Sequence, residues 1–264
     1  MKSTPLAASA VLFLLFSCSK SDKKRDPEPL KPNAWALTTD HKLLGFRIEE
    51  PGKIITNLAI TGIPAGQTLV GLDIRPADGQ LYASTHTRLY KINRETAATT
   101  LYSTNTYEFK LYSEELGIDF NPVSDYLRIV GNQDENVVIA PEDGHLVRAD
   151  GVINPTVLTI TASAYSNNFK GATSTTLYHI TTSGTLVKQY EPPTGYVNGI
   201  GQLGITNLSV INGFDISGKD NRAYAALTTR ADNVTKLYRI NLATGEATDI
   251  ATFPIHISGL ALEL

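Results

Sequence analysis

Three aspartates occupy the same place in a repeated phrase, and their type and spacing could do chemistry. Asp73, Asp119 and Asp215 are each the third residue of a Gly-apolar-Asp-apolar segment. A ring of such carboxylates could bind a metal ion or the hydroxyls of a sugar. Alternatively, each Asp could accept hydrogen bonds from backbone N–H groups in its own turn or in the neighbouring unit. Because Tyr165 and Ala261 interrupt the set at the equivalent positions, we expect the structural role.

The histidines show no HxH, HExxH or similar metal-ligand spacing; they are His41, His86, His145, His179 and His256. His41 and His86 fall in the same turn of successive repeats, where they could meet and bind a metal. We interpret them as polar turn residues. Nucleophile-elbow, phosphate-binding and deaminase patterns are also missing from the sequence. The sequence therefore predicts no catalytic residue, no metal and no cofactor.

The elements that carry the aspartates recur along the chain. The repeated phrase begins at Gly71, Gly117, Ser163, Gly213 and Gly259, and these starts are 46, 46, 50 and 46 residues apart. Each unit contains short apolar strands that are separated by turn residues such as Asp78-Gly79. A period of this size, with short strands and almost no helix signal, is typical of a β-propeller blade.

The two ends of the repeat array complement each other. Residues 257–264 read as an inner strand without partners, and residues 34–59 read as three outer strands without an inner one. Pairing them closes the ring and removes the exposed edge that an open array would present. We therefore predict an all-β propeller of five four-stranded blades, closed by pairing of the N- and C-terminal segments.

The mouth of the central channel is one candidate site. Enzymatic propellers of the lactonase kind, which this architecture resembles, bind a metal there through residues at the starts of the inner strands. The matching positions here offer one carboxylate, Glu115, one amide, Asn212, and one hydroxyl. A divalent ion prefers about six oxygen ligands, which disfavours a catalytic metal. A lactonase-like hydrolase or lyase at the channel mouth remains the alternative function.

The loop-rich rim is the other candidate site, since loops on rigid scaffolds carry function. This rim carries the turns between second and third strands and the connections between blades. Its aromatic, carboxylate and amide side chains suit a sugar or peptide, although an ordinary solvated surface would have the same composition. The predicted ligand-binding residues of rim and mouth are His41, His86, Glu115, Asp134, Glu135, Asn212, Tyr107, Tyr112 and Arg230. Tyr196 is assigned to the same rim.

The N-terminal segment predicts a membrane anchor. The apolar run from residue 6 to residue 16 is too short to span a bilayer and resembles a signal peptide. It ends at Leu15-Phe16-Ser17-Cys18, which resembles a bacterial lipobox, where the cysteine carries diacylglycerol. An ordinary signal peptide with an incidental thiol is the alternative. We predict a lipoprotein signal peptide over 1–17, a disordered polar tether over 18–32 and the propeller domain over 33–264.

Several phrases of the chain resemble one known family. They are Gly117–Val130, Ala164–Tyr178 and Ala223–Leu227, and they resemble a bacterial family known only as domain of unknown function 4394. The likeness covers nearly everything after the tether, with departures such as Ile118 where Phe is usual. The resemblance implies no activity, so function must be argued from the residues.

Charge excludes one class of partner. The chain has 26 acidic and 23 basic side chains and lacks the basic surplus typical of nucleic-acid binding. We predict a monomeric envelope lipoprotein that presents a loop-rich face to a protein or carbohydrate, in a non-enzymatic binding or scaffold role. A purely structural envelope protein is a third interpretation. Because no acidic run follows Cys18, the periplasmic side of the outer membrane is favoured over the cell surface.

Overall fold

The computed structural model describes Met1 and residues 30–114, 116–133, 135–156, 158–190 and 192–264. The predicted signal peptide, Cys18 and most of the tether lie outside this described part, as do Glu115 and Asp134. Among the described residues, no helix has the length and apolar content needed to cross a membrane.

The described residues form five four-stranded antiparallel sheets, which confirms the predicted five-bladed propeller. Each sheet is one blade, whose strands follow one another from the inner to the outer edge. Blade 1 contains β20 (Ile257–Leu262), β1 (Ala34–Thr38), β2 (Lys42–Arg47) and β3 (Glu50–Ala59). Blade 2 contains β4 (Leu69–Arg75), β5 (Gln80–Thr85), β6 (Leu89–Ile92) and β7 (Thr99–Leu101).

The other three blades follow in chain order. Blade 3 contains β8 (Leu116–Phe120), β9 (Leu127–Gly131), β10 (Asn136–Ile139) and β11 (Leu146–Ala149). Blade 4 contains β12 (Ile160–Tyr165), β13 (Leu177–Thr181), β14 (Thr185–Gln189) and β15 (Val197–Gln202), with a short 3-10 helix, Pro192–Thr194, before its last strand. Blade 5 contains β16 (Gly213–Ile216), β17 (Ala223–Thr228), β18 (Thr235–Ile240) and β19 (Ala247–Phe253).

The ring closes where the sequence predicts. β1 pairs antiparallel with β20, and Ala34 lies opposite Leu262 while Thr38 lies opposite Ile257. Blade 1 is therefore built from both ends of the domain, so the first and last strands protect each other's edges.

The hydrophobic core lies between adjacent blades. The five inner strands are buried along their whole length, whereas outer strands such as β3 alternate between exposed and partly buried positions. Aromatic contacts join neighbouring blades, for example Tyr82 with Phe120 and Phe46 with Phe253, each with ring centroids 5.4 Å apart. Burial on both faces explains why the inner strands consist of small and apolar residues.

The glycine that opens the repeated phrase permits a close approach of the inner strands. A Cβ on Gly117 would lie 2.8 Å from the backbone nitrogen of Ser163, and one on Gly213 would lie 2.7 Å from the carbonyl carbon of Gly259. These contacts leave a cavity of only about 10 Å³ at the channel mouth, where the inner strands begin. That volume accommodates about one water molecule.

The propeller has two faces. The upper face is the end at which the inner strands begin and the turns between second and third strands lie. The lower face is the end at which the inner strands finish and the turns between first and second strands lie. The predicted rim belongs to the upper face.

Candidate functional site

The three repeated aspartates converge in the interior. Asp73 lies on β4, Asp119 on β8 and Asp215 on β16, and their side chains are at most 2 % exposed. One carboxylate oxygen from each lies within 4.8 Å of the corresponding oxygen of the other two. The two remaining inner-strand positions hold Tyr165, whose hydroxyl accepts a hydrogen bond from Arg128 at 3.2 Å, and Ala261.

Two of these aspartates connect neighbouring blades. Asp73 accepts the N–H of Ile74 at 2.6 Å and, through its other oxygen, the N–H of Phe120 at 2.8 Å. Asp215 accepts the N–H of the next residue, Ile216, at 2.6 Å and, through its other oxygen, the N–H of Leu262, also at 2.6 Å. Each carboxylate thus joins its own inner strand to that of the following blade, which is the structural role expected from the repeat.

Asp119 likewise interacts with the backbone N–H of Tyr165 on the following blade, which acts to lower its pKa, but it differs from the other two in one oxygen. Its Oδ1 atom is buried and has no hydrogen-bond partner among the described residues. Burial, followed by the charges of Asp73 and Asp215, raises the pKa of Asp119 well above its usual range. Burial and the charge of Asp215 likewise raise the pKa of Asp73, and burial raises the pKa of Asp215 to about 7. Among the described residues, no basic side chain forms an ion pair with any of the three.

Glu135, one of the predicted rim residues, organises the loop beside it. Its carboxylate accepts the N–H groups of Tyr112 at 2.7 Å and Ser113 at 2.8 Å, and also bonds the Ser113 hydroxyl and the N–H of Gln133. Burial opposes ionisation, but these hydrogen bonds lower the pKa of Glu135 below its usual value. The ionised carboxylate therefore stabilises the loop, and its oxygens face inward.

The polar groups of Asn212 and Tyr107 are also engaged in hydrogen bonds within the protein. The Asn212 amide donates to the Thr161 hydroxyl at 2.6 Å and to the Ser209 carbonyl at 2.7 Å, while its oxygen accepts the N–H of Thr228 at 2.7 Å. Tyr107 is buried and its hydroxyl bonds Ser84 at 2.8 Å. The expectation that Tyr107 lies open on the rim is wrong, because its ring packs into the core beneath the connection.

The remaining rim residues are more accessible. Tyr112 is 58 % exposed, with the Lys110 ammonium 4.8 Å from its ring centroid. His86 contacts the Ser113 carbonyl at 2.8 Å, and Arg230 donates to the Leu208 carbonyl at 3.1 Å. His41 occupies a left-handed turn position with φ of 60°. Among the described residues, no hydrogen bond or ion pair joins His41 to His86, so they do not form a bonded pair.

A second surface lies between blades 3 and 4 at the lower face. It contains two adjoining cavities of about 280 Å³ and 250 Å³ that share Asn121 and Tyr165. We call it the blade 3–4 groove, and its other lining residues include Tyr126, Arg128, Arg148, Thr175, Lys188 and Tyr190. Tyr126 and Tyr190 are 37 % and 57 % exposed. Aromatic faces and hydrogen-bonding groups thus meet in one concave surface.

Tyr196 belongs near this groove and not to the upper rim, which corrects the assignment from sequence. It ends the turn between β14 and β15, the third and fourth strands of blade 4, and its carbonyl accepts the N–H of Tyr190 at 2.8 Å. In the sequence this turn resembles part of the long connection, because it is extended and contains Pro192-Pro193.

The groove has an ordered base. Arg128 is buried and donates to Asp150 at 2.6 Å, to Asn136 at 2.7 Å and to the Tyr165 hydroxyl. The side chain of Asp150 is fully buried and also pairs with Arg148. Because the buried guanidinium and carboxylate compensate each other, the surface above them keeps a fixed shape.

Comparisons with known proteins concern the fold. The profile described as Domain of unknown function (DUF4394) matches residues 42–261. No curated protein matches the chain. The solved structure of Kuenenia stuttgartiensis hydrazine synthase is similar over 73 % of this chain and 51 % of its own, at 12 % identity and a TM-score of 0.46. The chain therefore spans about half the length of that protein.

A component of a nidogen/laminin complex is similar over 89 % of this chain and 99 % of its own, at 13 % identity and a TM-score of 0.43. Neither likeness bears on function at such scores, and the site must be interpreted from its own residues.

Proposed function

The chain belongs to the DUF4394 family, whose description assigns no activity, and from the geometry of its surface we propose that it is a carbohydrate-binding envelope lipoprotein. The observation that carries the proposal is the pair of exposed tyrosines, Tyr126 and Tyr190, beside the cavities of the blade 3–4 groove. The binding role is non-enzymatic, and Cys18 attaches the chain to the outer membrane on its periplasmic side.

The chemistry of the groove supports a sugar ligand. A tyrosine ring offers an apolar face for the C–H groups of a pyranose and a hydroxyl for its polar edge. Asn121 and Thr175 provide donors and acceptors, and Arg148 and Lys188 provide cationic donors at the margin. Two adjoining cavities of this size together fall within the range of about 300–1,000 Å³ that is usual for small-ligand sites.

Rigid elements position these groups. Asn121 follows inner strand β8 directly, Tyr165 ends inner strand β12, and Lys188 lies on β14. Because the strands are fixed by sheet pairing and inter-blade packing, a ligand would not have to order the surface. Binding to such a preformed surface loses less conformational entropy.

Two observations among the described residues weigh against the alternative of a hydrolase or lyase at the channel mouth. Both polar atoms of Asn212 are committed to Thr161, Ser209 and Thr228. The mouth cavity of about 10 Å³ is also too small for an organic substrate. These contacts and this volume favour binding at the groove over catalysis at the mouth.

The test is an array of bacterial and plant glycans probed with the full-length chain in detergent. We expect Tyr190→Ala to weaken binding to the strongest ligand at least about tenfold, the effect of losing one central aromatic contact. Tyr112→Ala is the matched control, because it removes an equally exposed tyrosine from the upper rim. Binding that is lost with Tyr112→Ala and kept with Tyr190→Ala would contradict the assignment to the groove, and the absence of any glycan ligand would contradict the proposal itself.

A further inference from the structure

The three interior carboxylates are more than a structural repeat. Asp73, Asp119 and Asp215 converge from three inner strands, and one oxygen of each lies within 4.8 Å of the others. Hydrogen bonding to backbone N–H groups explains the burial of Asp73 and Asp215. The N–H of Tyr165 plays the same part for Asp119, but it leaves one buried Asp119 oxygen unaccounted for.

Asp119 supplies the second, independent observation. Its Oδ1 atom is buried without a hydrogen-bond partner among the described residues. Leaving a buried acceptor unsatisfied lowers stability, and leaving a charged one unsatisfied lowers it more. None of the described residues provides a partner for this oxygen, so a bound ligand would be needed to satisfy it.

The charge balance points to a cation. No basic side chain pairs with these carboxylates in the part of the chain that the structure describes. Burial and mutual repulsion disfavour three negative charges at this separation. A bound cation would both relieve that repulsion and give the buried Asp119 oxygen a partner.

From this geometry we propose that Asp73, Asp119 and Asp215 bind one calcium ion inside the propeller. Each carboxylate brings one oxygen to the cluster, and an oxygen that already accepts one backbone N–H keeps a second lone pair. A purely oxygen donor set selects a hard cation. Calcium is preferred over magnesium because calcium accepts irregular geometry, whereas magnesium usually keeps several waters of its octahedral shell.

The surroundings predict slow exchange of the ion. The channel mouth, lined by residues such as Gly71, Gly117 and Gly213, has room for about one water. The ion would therefore be incorporated during folding or pass the mouth slowly. The sequence alone predicts no metal, because the side chains at the mouth positions offer too few ligands and the repeated aspartates have a structural explanation.

The test begins with elemental analysis of the full-length chain, unfolded in chelator and refolded with or without calcium. We expect about one calcium per chain after refolding with it, and a thermal midpoint at least about 5 °C higher than in chelator, since a ligand that binds only the folded state stabilises it. Magnesium should give a smaller shift. Protein that refolds without retaining calcium, with the same midpoint in both conditions, would overturn the proposal.

The variant Asp119→Asn gives a second readout, because its effect on the thermal midpoint should change sign when calcium is added. Without calcium, Asp119→Asn should raise the midpoint, because it removes a buried charge of which one oxygen has no partner among the described residues. With calcium, the same variant should lie below the wild type and hold little metal. Asp249→Asn, an exposed carboxylate on β19, is the matched control and should bind calcium like the wild type. An Asp119→Asn protein with a full complement of calcium would contradict the assignment.

Discussion

Asp73 on blade 2 accepts the backbone N–H of Phe120 on blade 3 at 2.8 Å, and Asp215 repeats this contact from blade 5 to Leu262 on blade 1. Both partners are 47 residues from their aspartate along the chain. Leu262 also lies opposite Ala34 of β1, so a side chain of blade 5 bonds the inner strand through which blade 1 closes the ring.

The Asp215 contact predicts a large loss of stability on truncation. Asp215→Ala leaves two buried N–H groups, those of Ile216 and Leu262, without an acceptor. We expect the free energy of unfolding to fall by about 3 kcal/mol in urea titrations of the full-length chain in chelator and below pH 7, where neither calcium nor the Asp215 charge contributes. Asp249→Ala, which removes an exposed carboxylate from β19, should change it little. Equal effects of the two substitutions would refute the inter-blade role.

The carboxylates also predict a pH dependence of stability in chelator, where no calcium would be bound to them. Burial raises the pKa of Asp215 from 3.8 to about 7 in the folded chain. Between these values the folded state binds more protons than the unfolded state, so stability falls as the pH rises. The raised pKa values of Asp73 and Asp119 act in the same direction.

Unfolding midpoints of wild type and Asp215→Asn, measured from pH 4 to pH 8, isolate this contribution. The wild type should lose stability relative to the variant as the pH rises through about 7. Taking the difference between the two proteins cancels the contributions of other groups, such as Glu135, whose lowered pKa makes stability rise with pH. A wild-type advantage that grows with pH would show that the sign is wrong.

The glycine of the repeated phrase predicts a steric effect. Gly117→Ala would place a Cβ 2.8 Å from the backbone nitrogen of Ser163 on the next blade. Because backbone cannot move aside as a flexible side chain can, we expect a loss of about 2 kcal/mol in unfolding free energy. Gly199→Ala on β15 is the control, since nothing lies within 4 Å of its Cβ position. If both variants were as stable as wild type, close approach of the inner strands would not explain the glycine.

The proposed anchor predicts a covalent change at one residue. Cells expressing the wild-type chain should incorporate labelled palmitate into the protein, whereas Cys18→Ser should not, because Cys18 is the sole thiol in the chain. The variant should also leave the membrane fraction, since stable attachment needs the buried acyl chains. Label retained by Cys18→Ser, or a wild-type chain without label, would refute lipidation at this position.

The ring could be predicted from the sequence, because each inner strand repeats the same local pattern of Gly and Asp. The structural hydrogen bonds of Asp73 and Asp215 were predictable for the same reason. The blade 3–4 groove was not, since Asn121 and Tyr190 lie far apart in the chain and meet only through packing of two blades. Asn212 and Tyr107 looked open in the sequence, because the partners that bury them, such as Thr161 and Ser84, belong to other segments.

Hydrogen exchange of the full-length chain, with and without the strongest ligand from the glycan array, tests the central claim most directly. The groove predicts that the ligand slows exchange in the β8–β9 turn, residues 121–126, and around the β14–β15 turn, residues 188–196, while the connection at residues 105–113 on the upper face is unchanged. Protection confined to residues 105–113 would place the ligand on the upper rim and contradict the groove as the binding site.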